Sequence, residues 1–89
     1  MQEVQITIIN RLGLHARAAG KLVNLAKSFE SRITLGRGEE EVDGKSIMAV
    51  MLLAAPEGTK ITLKAEGDDE EEAMAAVAAL INDRFGEGE

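Results

Sequence analysis

The hydrophobic pattern changes period repeatedly along this chain, and that order of periods limits the folds open to it. Val4, Ile6 and Ile8 alternate with Gln5, Thr7 and Ile9, the period-two spacing of a half-buried strand. Past Asn10-Arg11-Leu12-Gly13, the apolar positions Ala19, Leu22, Val23, Ala26 and Phe29 recur at three and four. That spacing predicts a helix from Ala16 to about Phe29 with one buried stripe. Ser31–Leu35 returns to a strand, Gly36-Arg37-Gly38 reads as a turn, and Glu39–Val42 closes a hairpin. Ser46 stands where a cap is needed for a helix over Ile47–Leu53. Pro56-Glu57-Gly58 turns the chain into the alternating strand Lys60–Ala65. Asp68–Glu72 then places acids at the start of a last helix carrying Ala73, Val77, Leu80 and Ile81, where they favour the helix dipole. Residues 85–89, ending Gly86-Glu87-Gly88-Glu89, are expected to fray.

Four alternating strands with three amphipathic helices to cover one side imply an antiparallel sheet with a single buried face. The expected fold is therefore α+β, an open-faced sandwich in the order βαββαβα, with a four-stranded antiparallel sheet and three helices on one face. A length of 89 residues suits one domain, 1–89. Phe is the only aromatic type, present twice, so the core has to be built from Ile, Val, Leu, Met and Ala.

Several functions are excluded early. The chain has no cysteine and a single histidine, so neither a thiolate nor a multi-histidine metal site is expected, and no cofactor. The beginning Met-Gln-Glu-Val-Gln-Ile lacks the basic and apolar regions of a secretory signal, and no apolar run approaches the roughly 18 residues of a membrane span. A cytoplasmic protein is expected. The net charge of -6 argues against nucleic acid as a partner. Charge is unevenly spread, however. Arg11, Arg17, Lys21, Lys27 and Arg32 face only Glu3 and Glu30 in the first 34 residues, whereas the acids concentrate after residue 65. The basic end surrounds the histidine, which suits an anionic ligand or an acidic partner surface.

That histidine, His15, falls at the N-cap of the first helix. There the free N–H groups of Ala16, Arg17 and Ala18 would point outward beside its ring, forming an anion site to which Arg17 adds a fixed positive charge. An imidazole titrates near pH ~6.5, so a neutral, nucleophilic nitrogen is available at neutral pH. Attack on a phosphoryl group would leave phosphate on the ring, stabilised by the same donors. The plainer alternative is that His15 is a cap or surface residue. Against it, Gly13 permits close backbone approach and no acid lies within ten residues of His15 on either side. Ser46 has a structural reading as a cap and a regulatory one as a phosphorylation site, since negative charge is tolerated at a helix start yet repels an acidic partner. In Ile47, Met48, Met51 and Leu52 about half the run is expected to pack, leaving a Met-rich apolar patch adaptable to several partners.

Gly13-Leu14-His15-Ala16-Arg17-Ala18-Ala19, with Lys45-Ser46-Ile47-Met48 about thirty residues later, resembles the HPr family, phosphocarriers of the bacterial phosphotransferase system. The resemblance spans about residues 2 to 84. It implies that His15 accepts a phosphoryl group on Nδ1 from enzyme I, which draws it from phosphoenolpyruvate, and passes it to enzyme IIA domains. Arg17 would stabilise the phosphate, and Ser46 would be the target of HPr kinase/phosphorylase. Ile47, Met48 and Met51, with Leu14, Lys21 and Lys27, would form the partner-binding surface of a monomeric, stoichiometric carrier. Two positions depart from the family pattern. Ala18 replaces a frequent proline, and Leu12 stands where relatives are often polar. The C-terminal helix, Glu70-Glu71-Glu72-Ala73 through Asn82-Asp83-Arg84-Phe85, resembles the nitrogen-related NPr branch. An alternative is therefore a regulatory interaction module, NPr-like or controlled through Ser46, rather than a carrier for sugar uptake.

Overall fold

A computed structural model describes residues 1–89. Strand β1 (Gln2–Thr7) leads to helix α1 (Ala16–Lys27), the hairpin β2 (Arg32–Arg37) and β3 (Glu40–Asp43), helix α2 (Ile47–Leu53), strand β4 (Lys60–Glu66) and helix α3 (Glu70–Asn82). The strands form one antiparallel sheet in the order β1-β4-β2-β3. The chain is thus the α+β open-faced sandwich expected, with four strands and three helices.

Alternation sets the register. Ile6 pairs with Ile61, Leu35 with Leu63 and Ile33 with Ala65, and all six side chains are buried on the helix side. A slip of one residue would send that whole set to solvent. Arg32, Thr34, Thr62 and Lys64 occupy the open face, exposed or half-buried. Twenty apolar residues make one contiguous core between sheet and helices. No helix is long and apolar enough to cross a membrane.

Several details differ from the sequence reading. Val4 shares a face with Ile6 but is 39% exposed; β1 is an edge strand of the sheet. Helix α1 stops at Lys27 rather than Phe29: the Ser28 hydroxyl donates to the Leu25 carbonyl at 2.6 Å, and the Ser28 N–H closes on the same turn. Strands β2 and β3 each run later than expected, to Arg37 and Asp43.

The largest difference from the sequence reading lies at residues 85–89, which fold back onto the body of the chain. Phe85 continues the stripe Ala73, Val77, Ile81 by another four residues and is the largest fully buried side chain of the core. To seat it, Arg84, Phe85 and Gly86 adopt φ values of 55°, 56° and 76°, a left-handed turn in which Gly86 N–H bonds Asp83 O and Glu87 N–H bonds Arg84 O, each at 3.0 Å. Left-handed backbone costs about 1–2 kcal/mol per non-glycine residue, which burial of one Phe side chain, about 2–3 kcal/mol, offsets in large part. The turn sends the last residues back toward the start of α1.

Candidate functional site

Leu12 to Ala19 form the site, and Gly13 determines how they lie. With φ 67° it brings the backbone against the loop after α2, where an added Cβ would meet Ala55 O at 2.5 Å and Pro56 Cα at 2.8 Å. Leu14 N–H then bonds Ala55 O at 2.8 Å. This clamp delivers His15 in extended conformation to the N-cap of α1. The His15 carbonyl accepts the first helical bond, from Ala19 N–H at 2.8 Å, but its side chain caps nothing. The N–H groups of Ala16, Arg17 and Ala18 are consequently left to point out of the helix end without side-chain capping. Aligned peptide dipoles add partial positive charge there.

Arg17 is exposed and joins none of the protein's ion pairs. It lines an open cleft of about 850 Å³ with Arg11, Leu12, His15, Ala16, Lys21, Gly86, Glu87 and Glu89. The local positive charge that sequence neighbours leave uncompensated is partly met from the far end of the chain. His15 Nε2 bonds Glu87 Oε2, and Arg11 pairs with Glu89 at 3.0 Å. Asn10, fully buried, donates its amide to Gly13 O at 2.7 Å and to Glu87 Oε1 at 3.0 Å. Burial pushes the Glu87 carboxyl up, but the Asn10 and His15 hydrogen bonds and the charges of His15 and Lys21 outweigh it. The group therefore titrates below its ordinary 4.5.

The remaining residues singled out from sequence divide. Lys21 borders the cleft, and its ammonium donates to Phe85 O at 2.6 Å, holding the terminal turn. Lys27 is exposed on α1, away from the residues lining the cleft. Leu14 is buried, 5% exposed, so it anchors the loop in the core and offers no surface to a partner. Ala18 is buried too; only its N–H is available. Ser46 caps α2, its hydroxyl accepting from Ala49 N–H at 3.3 Å. Of α2, Val50 and Leu53 enter the core while Ile47, Met48, Met51 and Leu52 are exposed by 43% or more. A Cβ at Gly20 would lie 3.8 Å from Ile47 Cδ1, an ordinary contact, so α1 and α2 run side by side here. The apolar patch and the histidine thus belong to two helices in contact. Sequence reasoning missed Asn10, Phe85, Glu87 and Glu89. The spacing of Phe85 from Ile81 was the available signal; nothing local marks Glu87.

A histidine set over a helix N-terminus, with an unpaired arginine beside it on a small open sandwich, suits a phosphoryl-carrier domain. Residues 2–83 match the family model for the PTS HPr component phosphorylation site. The chain is 55% identical over its whole length to phosphocarrier protein HPr of Cupriavidus necator and 56% to that of Pseudomonas aeruginosa, covering all of each. Phosphocarrier protein NPr of Shewanella violacea is 42% identical, over 96% of this chain and 93% of that protein. A crystal structure of HPr-C-His from Thermoanaerobacter tengcongensis superposes with a TM-score of 0.95 at 47% identity, covering 98% of both chains. A crystal structure described as an HPr dimer from the same organism gives 0.79, over 98% of this chain and 100% of that one. The chain belongs to the HPr family and is a phosphocarrier of the phosphotransferase system.

Proposed function

We propose that His15 receives a phosphoryl group from phosphorylated enzyme I, itself charged by phosphoenolpyruvate, and hands it to enzyme IIA domains. The observation that carries this reading is the coincidence at one point of three elements: a partly exposed imidazole, the outward N–H groups of Ala16, Arg17 and Ala18, and the unpaired Arg17 guanidinium. A ring nitrogen forms the new bond to phosphorus as the donor's bond breaks. The phosphoryl oxygens then meet backbone donors and a guanidinium that pairs oxyanions in a fork. Openness suits the task, because a carrier must present one atom to two different partners in turn and needs no closed pocket of its own. Those partners dock on Ile47, Met48 and Met51, extended by Leu52 and by Leu12, which is 68% exposed at the cleft. We read the acting unit as a monomer working in the cytoplasm.

Ser46 adds regulation in this reading. Its hydroxyl is partly exposed at the start of α2, so a kinase of the HPr kinase/phosphorylase type would place about two negative charges beside the docking patch without unfolding the helix. The greater identity to HPr than to NPr proteins favours the sugar-uptake carrier over a regulatory nitrogen-branch module. Incubation with phosphoenolpyruvate and enzyme I should give an acid-labile adduct that His15→Ala abolishes. An undiminished yield in that variant would overturn the assignment.

A further inference from the structure

His15 Nε2 meets Glu87 Oε2 across a sequence separation of 72, and the contact is anchored on both sides. On the tail side, Phe85 is buried, Lys21 Nζ holds the Phe85 carbonyl at 2.6 Å, and Arg11 N–H holds Glu89 O at 3.0 Å. On the carboxylate itself, the buried Asn10 amide donates to Oε1 at 3.0 Å. The Asn10 amide orientation follows from its partners: both lie on the Nδ2 side and both are acceptors.

An ionised carboxylate only accepts hydrogen bonds. In the pair with Glu87 the proton must therefore sit on Nε2, and in the neutral ring the free lone pair is then on Nδ1. We propose that Glu87 is a positioning residue for the phosphoryl acceptor, fixing the proton of His15 on Nε2 so that Nδ1 is the nitrogen presented for transfer. Asn10 orients Glu87, and Glu87 orients His15, the order of support by which a buried aspartate fixes the tautomer of a serine-protease histidine. The carboxylate takes one ring nitrogen and none of the N–H groups of Ala16, Arg17 and Ala18. It leaves the anion site open.

The step balances. With phosphoramidate as a simple donor, the Nδ1 lone pair forms the N–P bond while the donor's P–N bond breaks, and the nitrogen leaves with a proton from water as ammonia. The ring, substituted on Nδ1 and still protonated on Nε2, now carries a positive charge, and the Glu87 carboxylate lies beside it.

The proposal rests on the carrier reading, and its test is built to separate the two. Full-length protein labelled with 15N at histidine is compared as parent, Glu87→Gln and Glu87→Ala, by ring 1H–15N correlations above the imidazole titration and by the initial rate of Nδ1 phosphorylation with phosphoramidate. The parent should show one Nε2–H tautomer with a slowly exchanging ring proton. Glu87→Ala should show both tautomers and react about tenfold more slowly, the rate equivalent of one charge-assisted hydrogen bond. Glu87→Gln, whose amide oxygen still accepts, should keep the tautomer and fall between them in rate. An unchanged ring pattern in Glu87→Ala, or a rate equal to or above the parent's in either variant, overturns the proposal. If Glu87→Ala loses its native amide spectrum in β4, the isosteric Gln variant decides by rate. If the parent takes no phosphate, the carrier reading fails, and the tautomer comparison still decides the role of Glu87.

Discussion

Gly13 has φ 67° and lies so close to the loop after α2 that no side-chain carbon fits. A Cβ would sit 2.5 Å from Ala55 O, the same oxygen that accepts from Leu14 N–H. Gly13→Ala combines left-handed strain, about 1–2 kcal/mol, with overpacking against backbone that cannot yield, about 1–3 kcal/mol. Urea unfolding should show a loss of about 2–5 kcal/mol, and ring shifts of His15 should move with it because the clamp sets where α1 begins. Full parent stability would mean the loop is free to shift. At this scale the sequence was partly transparent. Gly13 announced a close approach, and His15 with Arg17 stood out against a neighbourhood without acids. Leu14 did not announce its burial, since an apolar residue beside a reactive histidine suits a docking surface and a core anchor equally.

Elements are held to one another by polar side chains whose partners lie far away in sequence. Asp69, at the N-cap of α3, does not cap its own helix; it accepts from the backbone N–H groups of Glu30 and Ser31 at 2.9 and 2.8 Å and from the Ser31 hydroxyl. One carboxylate thus ties α3 to the start of β2, and the Ser31 hydroxyl, followed by the Glu30 N–H, holds its titration below the ordinary 3.8. A carboxyl depressed on folding stabilises the native state above its unfolded value, and that contribution disappears as pH falls through the lower folded value. Asp69→Ala should therefore be less stable than the parent at neutral pH, and the two curves should converge as pH falls below about 3.8. A difference that stays constant through the acid range would show that the ionised form contributes nothing. Periodicity made β1, α1 and β4 legible because burial of one face is a local pattern. Helix ends were less legible: α1 stops where Ser28 folds back on Leu25. Ser46 was the exception, a cap visible in sequence and found bonded to Ala49.

Across the whole molecule, the C-terminal residues return to the loop and helix start that follow β1. Residues 10–21 supply the histidine, the arginine and the buried asparagine, while residues 85–89 return to them with Glu87 and Glu89. Residues so far apart in sequence carry no shared period, and Gly-Glu-Gly-Glu has the composition of a loose tail, so the closure was hidden until Phe85 was seen in the core. The stripe Ala73, Val77, Ile81, Phe85 held the clue, but three consecutive left-handed residues follow no helical pattern and hid where it led. Phe85→Ala should cost about 3–5 kcal/mol as a cavity in a packed core, a large share of the ~5–15 kcal/mol that a domain of this kind possesses. The same substitution should release Glu87, so the His15 ring should lose its protected Nε2 proton even in urea-free buffer where the sheet remains folded. Urea midpoints and the ring correlations, read on one sample, check both effects. A loss below about 1 kcal/mol would place Phe85 outside the cooperative core. Loss of stability with the Nε2 proton still protected would show that Asn10 and Arg11 hold the tail without it.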